Sequence, residues 1–238
     1  VRFVMMDWLQ TPLSGSGEHS IAPWAFWHAR AMVLGWGVLL PLGALLARFF
    51  KVTRSQNWPA DLDNKTWWRG HLALQYIGVA LVSIGVVLSF NQGPHTSLAA
   101  QLHAWAGWSL FAAAWVQVVA GWLRGSKGGP TDSTLRGDHY DMTRRRLVFE
   151  RLHKSLGWLA VLVAIGVIVS GLVLVDAPRW MLVVLCVWWL ALTAGFALLQ
   201  KRGLVIDTYQ AIWGPDLIHP GNRRPQTGWG VSRPLDKR

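Results

Sequence analysis

The chain has 238 residues, 52% hydrophobic and only 15% charged, with a formal net charge of +11. Charged residues make up about a quarter of an ordinary soluble domain, so their scarcity leaves long uncharged stretches that read as membrane spans. A basic balance in a soluble protein would suggest nucleic acid; beside such apolar runs it reads as loop charge on one membrane face, and no nucleic-acid partner is expected.

The opening stretch, VRFVMMDWLQTPLSGSGEHS, has no continuous apolar core and no small-residue cleavage pattern, so no removable signal peptide is expected. Residues 1–23 read as a short extracytoplasmic segment, too short to fold alone. Five apolar segments follow: Trp24–Phe50, Trp67–Phe90, Leu98–Leu123, Leu152–Val175 and Trp180–Gln200. Each can cross about 30 Å of hydrocarbon at about 1.5 Å of helix rise per residue. The expected fold is an all-α integral membrane protein, a five-span helical bundle over 24–200. The remainder, 201–238, is rich in Gly, Pro and Arg and reads as an irregular, mostly unstructured cytoplasmic tail.

Loop charge sets the orientation. Only Arg2 precedes the first span. The first loop carries Lys51, Arg54, Lys65 and Arg69; the second, NQGPHTS, has no Lys or Arg. The third holds Arg124, Lys127, Arg136, Arg144, Arg145, Arg146 and Arg151, the fourth Arg179 alone, and the tail another seven. The alternation places the amino terminus outside and the carboxyl terminus in the cytoplasm, as in a bacterial-type inner membrane. Many of the seventeen Trp sit at span edges and read as an interfacial belt. Cys186, the single cysteine, is expected to be a small packed hydrophobe.

The histidines carry the chemistry. His19, His95, His139 and His219 fall in loops or tails and are expected to be solvated; His139, in GDHYD, lacks a partner at ligand spacing. His28, His71, His103 and His153 each lie a few residues inside one of the first four spans. An ionisable ring in hydrocarbon needs a partner. Given the orientation, His28 and His103 share the outer level and His71 and His153 the inner one. Two imidazoles at one level can take opposite axial positions of one macrocycle, so the expectation is two b-type haems, each held by a histidine pair. Zinc fits poorly, because it wants four ligands and each level offers two. At about 5 Å below each surface, the irons would lie about 20 Å apart, a stepping path for single electrons.

Glycines accompany the ligands at helical spacing. LHAWAGW and LHKSLGW place Gly107 and Gly157 one turn after His103 and His153; Gly35 follows His28, and Gly78 and Gly85 follow His71. Residues at i+4 and i+7 share a face, so these are candidate slots for the edge of the macrocycle. Helix packing through small residues is the competing reading. Spans one and two share His-x6-Gly, and spans three and four share Leu-His-x3-Gly-Trp, which suggests an inverted repeat.

At HARAMVLGWGVLLPLGALLARFFKV, WWRGHLALQYIGVALVSIG, LHAWAGWSLF and FERLHKSLGWLAVLVAIGVIVSGL the chain resembles the cytochrome b561 family, over about 28–172. The likeness is to the cytochrome core of members fused to DOMON domains, with no DOMON domain before His28 and five spans where the family commonly has six. The resemblance implies transmembrane electron transfer with His28 and His103 on one haem iron and His71 and His153 on the other. It also implies ascorbate as cytoplasmic donor and monodehydroascorbate or ferric chelates as acceptors. Quinone or a redox protein are the other candidate partners, beside membrane lipid, and a homodimer or partner subunit is compatible with the pattern. Arg69, Arg146, Arg151 and Lys154 form a candidate donor surface, with the positive-inside signal itself as the plainer reading. Arg30 either meets a haem propionate or snorkels to the interface. The rival to a stand-alone conduit is the membrane-anchor cytochrome b subunit of a respiratory dehydrogenase, exchanging electrons with quinone.

Overall fold

A computed structural model describes residues 7–15, 21–90, 93 and 97–233. Arg2, His19 and His95 lie outside them. Among the described residues the chain is all-α apart from two isolated bridges, with five helices long and apolar enough to cross a membrane. They are α1 (Pro23–Phe49), α2 (Thr66–Ser89), α3 (Leu98–Trp122), α4 (Arg144–Leu174) and α5 (Arg179–Lys201). A sixth, α6 (Thr208–Trp213), and a 3₁₀ turn (Pro220–Arg223) follow.

Local chemistry sets the helix ends. Pro23 opens α1 with the fixed φ of a first-turn proline. Ser97 Oγ accepts from Ala100 N at 3.2 Å before α3, and Thr143 Oγ1 from Arg146 N at 3.4 Å before α4. Each hydroxyl satisfies a donor the first turn cannot use. The cap at Thr143 explains why α4 begins at Arg144 rather than Leu152: its charged first turns are helical and precede the apolar run.

α1 carries a π-helical stretch, Val33–Leu39, with Gly35, Trp36 and Gly37 buried. Pro41 has no N–H, so the carbonyl of Gly37 loses its ordinary α-helical donor. Trp188 of α5 supplies one, its Nε1 donating to Gly37 O at 2.9 Å, while Gln75 Nε2 of α2 donates to Leu40 O at 3.1 Å. Trp188 thus satisfies a carbonyl on the irregular stretch, and Gln75 bonds the residue that follows it. Trp188→Phe keeps most of the ring and deletes the donor. It is expected to lower stability by about 1–3 kcal/mol, seen as a lower thermal midpoint with unchanged helix content.

The chain divides into two compact units. The first comprises Val1–Pro41, Gln75–Ala114 and Ala160–Gly195; the second comprises Leu42–Leu74, Trp115–Leu159 and Phe196–Arg238. In the first, Ser14 is tied to the turn after α4, its Oγ donating to Asp176 Oδ2 at 2.6 Å. Cys186 is exposed on α5, so the packed position expected for it is not what the structure gives.

The second unit corrects the reading of the carboxyl-terminal residues as an unstructured tail. Over 203–233 they are folded. Asp207 caps α6, accepting from Tyr209 N at 2.7 Å, and its other oxygen meets Arg233 Nε at 2.8 Å. Tyr209 and Trp213 form a buried core with Met142, and Tyr140 packs against it. Gly and Pro counts hid this because the buried apolar anchors are few among the described residues: Val205, and Tyr209, Ala211 and Trp213 on one short helix.

His139 is likewise buried, 4% exposed, against Tyr209 and Trp213. Burial pushes its imidazole down from 6.5 to about 3, and Arg146 acts in the same direction. Between those values the unfolded chain holds a proton that the folded chain does not. The stabilisation is therefore complete above about pH 6.5 and lost as pH falls toward about 3. Over that window the wild type is expected to lose about 1.4 kcal/mol per pH unit more than His139→Phe. Parallel unfolding curves at pH 7 and pH 5 for the two proteins would contradict this.

Candidate functional site

His28 and His103 come together in the first unit. Their ring centres are 6.4 Å apart with planes at 66°. Two imidazoles on opposite sides of one metal, at metal–nitrogen distances of about 2.0 Å, place ring centres about 6.3 Å apart. At the observed spacing both rings could serve one bound metal.

Hydrogen bonds also set which ring nitrogen carries the proton. His28 Nδ1 lies 2.8 Å from Gly85 O. A carbonyl only accepts, so Nδ1 is the donor and the lone pair of the neutral ring sits on Nε2. His103 Nδ1 lies 2.9 Å from Ser170 Oγ, and that hydroxyl already donates to Val167 O at 2.8 Å. Its single proton is spent, so it accepts from His103, and Nε2 again holds the lone pair. This is the arrangement of a metal-ligating histidine steadied from behind.

A cavity of about 420 Å³ opens beside His103, lined among others by Ala99, Ala106, Gly166, Val167 and Ser170. Small side chains from α3 and α4 leave room for a flat apolar group. A Cβ at Gly171 would come within 2.9 Å of His103 Cε1, so glycine there is what lets the imidazole lie against α4. A Cβ at Gly107 would meet nothing within 4 Å, which leaves it facing open space.

Gly35 and Gly78 behave differently from the slots expected of them. A Cβ on Gly35 would lie 2.8 Å from Val82 Cγ2, and one on Gly78 2.8 Å from Leu40 Cδ2. These two glycines close α1 onto α2, the small-residue packing that competed with the slot reading. Arg30 is exposed and folds back over the Phe26 ring at 3.0 Å, a cation–π contact at the start of α1.

His71 and His153 belong to the second unit. His71 Nδ1 lies 2.9 Å from Gly43 O, so it too donates to a carbonyl and keeps its lone pair on Nε2. The Nδ1 of His153 is buried and, unlike those of the other three rings, has no hydrogen-bond partner among the described residues. Gln117 Nε2 of α3 donates to His153 O at 2.8 Å, and a Cβ on Gly157 would lie 3.1 Å from that amide nitrogen. Among the described residues no three of His, Cys, Asp and Glu gather as a metal-binding group. Paired imidazoles with apolar surroundings suit a haem, whose own nitrogens complete the iron's coordination.

Three of the rings also carry an aromatic neighbour one turn earlier: Trp24 at 6.4 Å from His28, Trp68 at 5.9 Å from His71 and Phe149 at 5.0 Å from His153. Sequence reasoning missed these, together with Ser170, Gly171 and Gln117. The aromatic-x2–3-His spacing was visible; the serine and glutamine had no signal, because a lone polar residue in a span is common.

The expected donor surface divides. Arg69 and Arg151 are exposed, while Arg146 and Lys154 turn to the buried Glu150. Arg146 Nε donates to Glu150 Oε1 at 2.9 Å, and Lys154 Nζ to Oε2 at 2.7 Å. Thr227 of the folded carboxyl-terminal segment adds its hydroxyl to Oε2 at 2.6 Å. The spacing 146–150–154 puts all three charges on one helix face. Arg146 and Lys154 thus share one buried carboxylate, and the cluster keeps a net charge of about +1.

Residues 27–128 match the family model for eukaryotic cytochrome b561. The chain is also similar to a cytochrome b561, DM13 and DOMON domain-containing protein of Arabidopsis thaliana, 28% identical over 159 residues, 67% of this chain and 16% of that one. Two cytochrome b561 and DOMON domain-containing proteins of the same plant match at 29% over 160 residues and 25% over 184 residues. They cover 64% and 77% of this chain, and 33% and 34% of their own. The chain thus spans about a third or less of the length of these relatives. No solved structure matches.

Proposed function

From its resemblance to the cytochrome b561 family, we propose that this integral membrane protein is a di-haem b-type cytochrome that passes single electrons between a donor and an acceptor on opposite membrane faces. The observation that carries the reading is the His28–His103 pair, 6.4 Å between ring centres with Nδ1 bonded on each ring. His28 and His103 hold one haem; His71 and His153 hold the other. When bound, the haem iron supplies one-electron chemistry by cycling between ferric and ferrous states.

The rest is done by the chain. Gly85 O, Ser170 Oγ and Gly43 O orient three of the four imidazoles and raise their basicity toward iron. The small residues along α3 and α4 would admit the macrocycle edge. Arg69 and Arg151 remain as exposed cations for an anionic donor such as ascorbate. The alternation of loop charge favours the cytoplasmic face for those residues. The matched proteins carry cytochrome b561 names, which favours this conduit over the anchor-subunit reading.

The test is a pyridine haemochrome assay on protein purified with haem available during expression. The expected result is two non-covalent b-type haems per chain, both reduced by ascorbate. No b-type bands, or a single haem in a fully folded preparation, would refute the di-haem proposal.

A further inference from the structure

The second unit holds a cavity unconnected with the histidines. It measures about 350 Å³ and is built where the last turns of α1 and α5 meet the chain beyond them. Phe49, Phe50, Val52, Leu199 and Leu204 line it with Thr53, and Arg54 and Arg202 stand at it. Both arginines are exposed, no carboxylate lines the cavity, and among the described residues neither arginine forms an ion pair. Arg48, also nearby in sequence, is committed elsewhere: it bonds Gln200 at 2.8 Å and lies over the Trp229 ring at 4.5 Å.

Hydrocarbon walls with two cations just past the ends of two spans describe one kind of ligand. A small anion would leave the apolar walls wet. A neutral apolar molecule would leave the guanidinium groups without a use. The ends of α1 at Phe49 and α5 at Lys201 mark where hydrocarbon gives way to headgroups. We propose that this cavity is a binding site for an anionic phospholipid, its acyl chain against Phe49 and Leu199 and its phosphate between Arg54 and Arg202. A net-negative headgroup is preferred over a zwitterionic one because no amine accompanies its phosphate. The occupant would pin the end of α1 to that of α5, near the segment that Lys51 fastens by its bond to Ile206 O at 3.1 Å.

The experiment is native mass spectrometry of the full haem-loaded chain, released from bilayer discs of equal phosphatidylglycerol and phosphatidylcholine. The expected result is one retained phosphatidylglycerol per chain, enriched about fivefold or more, and an enrichment lost in Arg54→Ala/Arg202→Ala. Leu199→Trp fills the cavity without touching charge, and it should lose the retained lipid as well. Haem absorbance in neutral lipid verifies that each variant is folded. Equal retention of both lipids by the wild type overturns the proposal, as does undiminished phosphatidylglycerol on the double variant. Displacement of the lipid by millimolar inorganic phosphate would show a plain anion site instead.

Discussion

His103→Ala is expected to remove one haem and leave the other. The b-type band in the reduced spectrum should fall by about half, with the remaining haem still reducible. The reason lies in the geometry: His103 shares its site with His28, and the hydrogen bonds that orient both rings stay within the first unit, to Gly85 and Ser170. His71 is held by Gly43 and the backbone of His153 by Gln117, all within the second unit. Loss of both haems from a protein that keeps its helix content would break the pairing, and so would retention of both. Ser170→Ala is the graded companion. It leaves His103 Nδ1 without its acceptor, so the expected effect is weaker haem retention and a shifted midpoint potential rather than an absent band.

Glu150→Gln is expected to cost about 3–5 kcal/mol. The carboxylate is 3% exposed and takes Arg146, Lys154 and Thr227 together. Without its charge two cations face each other across a buried space; Lys154, whose side chain is about one-third exposed, can partly escape to water, which places the loss toward the lower end. Thr227→Val removes only one hydrogen bond and should cost about 1 kcal/mol. Because Thr227 anchors the carboxyl-terminal segment, Glu150→Gln should also speed proteolysis within 203–233. A variant as stable and as protease-resistant as the wild type would show the cluster to be decoration.

The spans were legible because a bilayer enforces a crude rule: about twenty apolar residues, bounded by polar ones. α2, α3 and α5 fall within a residue or two of their expected limits. α4 does not, since helix and hydrocarbon are different things, and a cap at Thr143 starts the one well before the other. The four histidines were legible for a similar reason, being costly where they stand. The glycines were less so. Spacing can say that a residue shares a face with a ligand; it cannot say whether Val82 or empty space lies opposite. The carboxyl-terminal fold was hidden because its stability comes from a few charged and aromatic contacts brought from far apart, Asp207 with Arg233 and Tyr209 with Tyr140 O. Periodicity does not record those.

The acceptors behind the histidines divide the sites by genetic fragility. Gly85 and Gly43 contribute peptide oxygens, which no point substitution can delete. His103 leans on a serine hydroxyl, which a single-base change can erase. Random mutagenesis should therefore yield lesions at Ser170 that loosen the hold on His103, whereas a change at Gly85 would act through crowding, its new Cβ 3.0 Å from Met32 Cε, and not through loss of the acceptor.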